Sequence, residues 1–401
     1  GAVIPRRIVK FLAWTGRLKM SHRVRIGMVG GGQGAFIGAV HRIALRMDDQ
    51  FALVAGCFGR DPENTRKTGE ELGIDPARCY DTWEQMIDQE SRLPVADRIE
   101  AVSIVTPNHM HHGPATAALK AGFHVICDKP LCISMEEALD LQKITNETGK
   151  TFALTHNYSA SPMVREARER VTSGKIGTVR KVYVEYLQGW LSEKLEESGQ
   201  KQADWRTDPT RSGPVGALGD IGTHAHQLLE FITGDRLTSL YAILDTFVEG
   251  RALDDDDMIL FKMSEGATGT LCSSQVCYGR ENGLKIRIFG TRGALEWDQE
   301  HPNDLKVTEE DGAVKIIRTA TSAAGEASAS LTRTPAGHPE GYLEAFANIY
   351  HAFANQVRGK NSSLELPFPG IEDGLRGIQF INAALESNKE NCWVDVSEGD
   401  N

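Results

Sequence analysis

The chain has 401 residues, with 55 acidic against 44 basic side chains and a formal net charge of −11; this balance argues against a nucleic-acid partner, because neutralising phosphates needs a basic surface. With 40% hydrophobic and 25% charged residues it is a globular chain long enough for two or three domains, neither disordered nor a coiled coil. No run of about 18 apolar residues is present to cross a membrane, and seven cysteines without CxxC spacing read as reduced intracellular thiols, not a disulfide scaffold or zinc site.

Residues 1–20 carry Arg6, Arg7, Lys10, Arg17 and Lys19 and no acid. An export signal needs an unbroken apolar stretch, which Lys10 and Arg17 interrupt, so the segment reads as a leader or extension and the expected location is cytoplasmic. From Val24 onward, short β-rich runs at 24–29, 51–57, 99–105, 123–127 and 151–155 alternate with amphipathic stretches such as 36–48, 61–72, 113–121 and 134–149. Near-continuous apolar strands separated by helices predict a doubly wound parallel sheet over 21–157. Beyond it, after a helical stretch at 162–173, strand-like runs at 178–188, 237–248, 256–263, 267–276, 284–289 and 293–297 follow with one strong helix at 220–233, and helical patterns return at 340–358 and 371–388. Strands without intervening helices predict an α+β domain with a large, mostly antiparallel sheet over 158–401. Residues 319–330 read as a mobile loop, and Asp254–Asp257 as a solvated turn.

The first strand runs into Gly30-Gly31-Gly32-Gln33-Gly34-Ala35 and a helix. Gly30 permits the tight turn, Gly32 lets a pyrophosphate approach, Ala35 allows close packing, and the helix N-terminus offers amide donors, so a dinucleotide is expected on Gly30, Gly32, Gln33, Gly34, Ala35 and Phe36. The carboxylate that NAD-preferring sites place at the end of the second strand is missing until Asp61. Arg60 stands there instead, either to meet a 2′-phosphate or as a solvated loop charge, which tilts the choice between NAD and NADP toward NADP.

Two further strand ends should face the cofactor: Thr106-Pro107-Asn108-His109-Met110-His111-His112 and Asp128-Lys129-Pro130. Three histidines in four residues without an accompanying carboxylate or cysteine cluster do not make a closed metal site, so no metal is expected, and Thr106, Asn108 and His111 are read as ribose or capping contacts. His156-Asn157-Tyr158 follows the last strand and should enter the cleft. Asp220 and His224, four apart, lie on one face if helical.

The Gly30–Ala35 turn, Gly38-x-x-His41-x-x-Ala44, Thr106-Pro107-Asn108-x-x-His111, Ala121-Gly122-x-His124-Val125-x-x-Asp128-Lys129-Pro130-Leu131 and Gly219-Asp220-Ile221-Gly222-Thr223-His224 together resemble the Gfo/Idh/MocA family of glucose–fructose oxidoreductase and inositol dehydrogenase. The resemblance implies a Rossmann domain, a second sheet that often forms the interface of a homodimer or homotetramer, and NAD(P)-dependent chemistry on a sugar or cyclitol. It carries the catalytic set onto Lys129, Asp220 and His224: oxidising a secondary alcohol requires a base within reach of the hydroxyl, a role that suits His224, while Lys129 can stabilise the developing alkoxide and Asp220 can orient substrate or histidine. It also places Trp205-Arg206 near the nicotinamide or substrate. One departure is Asp128, where the family has Glu; the shorter carboxylate would alter ribose contacts. Tyr158, Arg206 and His338 are hydrogen-bonding candidates for a polyol, His338 equally a helix-entry cap, and His226 should be structural. Two other readings fit the same cleft: an NAD-dependent glycoside-cleaving enzyme that oxidises its sugar transiently, and a non-catalytic NAD(P) sensor, against which the acid–base set argues.

Overall fold

The computed structural model describes residues 22–360 and 368–396; the segment 1–20, read above as a leader, lies outside the described residues. Strands β1 (Val24–Gly30), β2 (Phe51–Cys57), β3 (Ala101–Val105), β4 (His124–Cys127) and β5 (Phe152–Leu154) form one sheet in the order β2-β1-β3-β4-β5, and each pairing is parallel. Every residue of β3 is buried, as expected of a strand covered on both faces. The connecting helices are α1 (Phe36–Met47), α2 (Pro62–Leu72), α3 (Trp83–Arg92), α4 (His112–Lys120) and α5 (Met135–Thr148). Their ends are set locally. Asp61 caps α2 by accepting from the Glu63 amide ahead of Pro62, and Ser134 caps α5 through the Glu137 amide.

The second layer system begins with α6 (Pro162–Thr172), β6 (Val179–Leu187), the short helices α7 (Lys201–Arg206) and α8 (Pro209–Ser212), a single π-helical turn at Leu218–Gly222, and α9 (Thr223–Thr233). It continues with β7 (Leu237–Asp245), β8 (Asp256–Met263), β9 (Thr268–Ser274), β10 (Gly283–Gly290), β11 (Ala294–Asp298), β12 (Asp304–Thr308) and β13 (Val314–Arg318). The chain then forms α10 (Glu326–Ser330), α11 (Tyr342–Val357), α12 (Ile371–Glu390) and β14 (Val394–Asp395). The nine strands are ordered β13-β12-β11-β10-β6-β9-β8-β7-β14, and within this sheet only β6 and β9 run parallel. Burial alternates along β8, with Asp257, Ile259, Phe261 and Met263 inward and Met258, Leu260 and Lys262 outward, so one face packs on helices and the other is open.

Three expectations change. The chain does not stay in the second layer after residue 158: Phe346, Ile349, Tyr350 and Phe353 of α11 join Val24, Ile26, Met28 and Phe51 in one core, so the dinucleotide domain borrows a helix from the far end of the sequence. Tyr350 fixes it there, its hydroxyl lying 2.8 Å from His41 Nδ1 and 2.9 Å from Ser103 Oγ. The stretch 319–330 contains α10, held to α6 by the Gly325 amide donating to Glu166 at 2.6 Å. Asp254, Asp255 and Asp257 are buried rather than solvated, because each carboxylate is consumed by donors. Asp254 accepts from the Gly216 and Leu218 amides at 2.6 and 2.8 Å, Asp255 from the Phe247 and Val248 amides and from Arg251, and Asp257 from the amide and hydroxyl of Ser273.

Candidate active site

The carboxyl ends of the parallel strands open into a cleft of about 1400 Å³ whose other wall is the inner face of the nine-stranded sheet. Gly30, Gly32, Gln33, Ala35 and Phe36 line it at the start of α1. Gly30 has φ +86°, and Gly32 lies so close to the end of β2 that a Cβ there would sit 2.6 Å from the Phe58 carbonyl. Glycine at these positions leaves the α1 amides open to an anion. Gly34 sits at the turn's outer edge, not on the cleft wall, facing Lys201 Nζ. Arg60 lines the cleft without a hydrogen-bonded or acidic partner among the described residues, whereas the carboxylate of Asp61 is occupied in capping α2.

Thr106 and Asn108 line the cleft as expected, but His111 does not. It is fully buried, with Nδ1 2.7 Å from the Pro130 carbonyl and Nε2 2.9 Å from the Thr106 carbonyl. His111 therefore braces the two strand-end loops against each other instead of contacting a ribose. The neighbouring histidines point to separate partners, His109 to the Arg211 carbonyl and His112 to Asp140. Among the described residues no group of three or more His, Cys, Asp or Glu side chains could hold a metal ion. Asp128 reaches the wall, yet its Oδ1 accepts from Thr155 Oγ1 at 2.7 Å and lies 3.7 Å from His41 Nε2. Burial opposes its ionisation, but His41, Lys129 and Thr155 outweigh that and hold the carboxyl below its ordinary range.

Lys129 and Asp220 meet at the junction of the two domains. Lys129 Nζ donates to the Asp220 backbone carbonyl and, at 3.1 Å, to Asp220 Oδ1. Asp220 Oδ2 accepts from Arg206 Nε at 3.2 Å and from Gln275 Nε2 at 2.9 Å. Burial works against this carboxylate as well, but Arg206 and Lys129 keep it ionised far below the usual range. Asp220 sits in the π turn and His224 in the first turn of α9, both on the cleft wall. His224 is packed edge-on by His156, Tyr158 and Tyr186, with ring centroids 5.2, 5.0 and 6.1 Å away. Burial first, and then the charges of Lys129 and His156, push its pKa well below 6.5, so the ring is neutral at pH 7.

Trp205 and Arg206 line the same region, the guanidinium 4.3 Å over the indole. Asn157 also lines it, and its Nδ2 is buried without a hydrogen-bond partner among the described residues. Tyr158 donates into a neutral network: its hydroxyl is 2.8 Å from that of Tyr186, which donates to Asn282 Oδ1 at 2.6 Å. His338 is not part of the site. It is exposed on the turn before α11, with its carbonyl held by Thr334, and the residue of that segment that enters the cleft is Tyr342. His226 is structural, stacked on Phe380 at 4.4 Å. Sequence reading missed Tyr186, Gln188, Gln275 and Asn282. The signal was present in strand parity: the inward rows Val182-Val184-Tyr186-Gln188, Leu271-Ser273-Gln275 and Ile288-Ile286-Leu284-Asn282 each change from apolar to polar at the same end of the sheet.

Comparison with known proteins agrees with this architecture. Residues 24–156 match an oxidoreductase family with an NAD-binding Rossmann fold, and residues 164–296 match the GFO/IDH/MocA C-terminal domain. An inositol dehydrogenase homolog from Azotobacter vinelandii, solved with NAD+, is 36% identical over 94% of this chain and 98% of its own, with a TM-score of 0.90; it is also solved with NADH and myo-inositol. The uncharacterized oxidoreductase YfiI of Bacillus subtilis is 34% identical, covering 94% of this chain and 98% of its own. Levoglucosan dehydrogenase of Pseudarthrobacter phenanthrenivorans is 26% identical over the same shares. With its NAD-binding Rossmann layer, its mostly antiparallel second sheet and the Lys129–Asp220–His224 cluster between them, the chain belongs to the GFO/IDH/MocA oxidoreductase family.

Proposed function

We propose that the protein moves hydride between a nicotinamide dinucleotide and the carbon of a secondary hydroxyl in a sugar or cyclitol. The observation that carries this reading is the convergence of Lys129, Asp220 and neutral His224 on one wall of the cleft that begins at the phosphate turn. The residues present fit a dinucleotide. The glycine turn leaves room against the α1 amides, and Asn157 Nδ2 is a buried donor without a partner among the described residues. When bound, the nicotinamide supplies the hydride acceptor.

Each side chain then has a distinct task. His224, neutral at working pH, takes the hydroxyl proton. Lys129, held by Asp220 Oδ1 and the Asp220 carbonyl, presents a fixed positive charge to the alkoxide that develops. Asp220 positions that ammonium and is itself held by Arg206 and Gln275. Asp128, held by Thr155, steadies the loop that carries Lys129. NAD bound in the relative's structures supports NAD as the working dinucleotide, while Arg60, without a partner among the described residues, supports acceptance of a 2′-phosphate and so of NADP.

The test is a spectrophotometric screen of sugars and cyclitols with NAD+ and NADP+, following nicotinamide reduction. The reading expects reduction with at least one polyol; release of free sugar from glycosides without accumulating NAD(P)H would replace it with the glycoside-cleaving alternative.

A further inference from the structure

At the substrate end of the cleft the lining cations are balanced by carboxylates, and most of the other polar groups are neutral. Three strand ends, those of β6, β9 and β10, turn polar together there and supply a connected chain of amides and phenols. Trp190 Nε1 donates to Gln188 Oε1 at 3.0 Å, Gln188 Nε2 donates to Asn282 Oδ1 at 3.0 Å, and Asn282 Nδ2 donates to the Tyr158 hydroxyl at 3.1 Å. Every member can both give and receive hydrogen bonds or is tied to one that can, which matches hydroxyl groups and not an acceptor-only anion.

Of the cations that line the cleft, Lys129 and Arg206 stand on Asp220 and Lys129 also faces the Asp128 carboxylate, so two positive charges meet two negative ones. The other lining cations lie elsewhere: Arg60 beyond the end of β2, Lys201 beside Gly34 of the phosphate turn, and Arg211 on Asp204. At the rim of the polar wall, two exposed carboxylates, Glu281 and Glu300, complete the lining, the latter accepting from the Asn282 amide at 3.0 Å. A phosphate or carboxylate brought here would lose water without gaining an unpaired cation and would face like charge at the rim.

We infer that the cleft is selective for neutral polyols and excludes sugars bearing a phosphate or carboxylate. This deepens, and rests on, the sugar or cyclitol reading above. Exclusion of anions follows from two features, lining cations already balanced by Asp220 and Asp128 and acid at the rim, so reversing the rim charge should relax it.

The experiment uses matched pairs: myo-inositol with an inositol monophosphate, and glucose with glucose 6-phosphate and with glucuronate. Turnover with NAD+ is measured for each, together with binding to the enzyme–NADH complex by change in NADH fluorescence. The neutral member of each pair should exceed its anionic partner by at least ~10²-fold in kcat/KM or in affinity, and Glu281→Lys should narrow the gap by about 10-fold. An anionic partner that binds or reacts as well as the neutral one overturns the exclusion while leaving the sugar reading intact. Failure of all of them both to bind and to react overturns the sugar reading and the selectivity with it.

Discussion

At the scale of residues, the proposed mechanism divides the proton chemistry between Lys129 and His224 because their surroundings differ. The ammonium is held against the Asp220 carboxylate, whereas the imidazole is enclosed by His156, Tyr158 and Tyr186 and kept neutral. Lys129→Ala and His224→Ala should each lower kcat at least ~10²-fold, the usual contribution of an acid–base group, with NADH affinity measured by fluorescence titration nearly unchanged; near-normal turnover removes that residue from the mechanism. Because burial depresses the His224 pKa, kcat/KM should show no acid limb near pH 6.5, and a limb at that pH would contradict the assignment. Arg60→Ala should weaken NADP+ about 10-fold while changing NAD+ little, as loss of one charge-assisted contact to a 2′-phosphate would; equal effects on both dinucleotides would leave Arg60 a solvated charge.

At the scale of elements, the catalytic turn is held from behind by the acidic run. Asp254 receives the amides of Gly216 and Leu218, and its own carbonyl receives that of Ala217, which fixes the entrance to the π turn bearing Asp220. Gly216 is required at this contact, since a Cβ would lie 2.1 Å from the Asp254 carbonyl. Next to it, Asp255 holds Arg251, whose guanidinium grips Glu196 at 2.9 and 3.0 Å and so anchors the segment leading to α7. Asp254→Asn, which trades one acceptor for a donor, should reduce kcat about 10-fold, in line with one lost charge-assisted bond, with little change in NADH affinity and partial recovery in Asp254→Glu. A variant that loses only thermal stability would make Asp254 merely structural. Three of the four consecutive aspartates, Asp254, Asp255 and Asp257, were misread because composition registers charge, whereas their burial depends on amides contributed from residues 216–218, 247–248 and 273, remote in sequence. The phosphate turn and Lys129 were legible for the opposite reason: adjacent residues produce both the strand end and the chemistry.

At the scale of the whole molecule, α11 ties the end of the chain to its beginning, and no local pattern in 342–357 could reveal that its apolar face packs on α1 rather than on the second sheet. The polar wall was hidden similarly, because it appears only when β6, β9 and β10 are in register. On the open side of the sheet, Met258 (62% exposed) and Leu260 (49%) stand with Tyr183 and Phe289, an apolar patch suited to a second copy of the chain. Leu260→Glu should shift sedimentation toward a smaller species; an unchanged sedimentation coefficient would remove this face from any interface. Burial also gives the molecule an acid sensitivity. His156 is pushed down to about 3 by burial, Lys129 and His226, and His224 is also held neutral. An unfolded chain protonates such residues near pH 6.5, so the stability they confer by remaining neutral is present above that pH and is lost below it, at about 1.4 kcal/mol per histidine per pH unit. Asp257, which burial raises, acts with the opposite sign, so the comparison is between wild type and His156→Asn: the fall in Tm below pH 6.5 should be shallower in the variant, and equal slopes would contradict the buried-histidine origin.

Single-turnover nicotinamide reduction, with the best polyol from the screen and enzyme in excess, tests most directly whether the junction of the two domains is where hydride leaves the substrate. Wild type should reduce one NAD+ per molecule of the limiting polyol, and His224→Ala should do so at least ~10²-fold more slowly with the same dinucleotide affinity. Equal rates in the two proteins, or no reduction by wild type with any polyol, would contradict it.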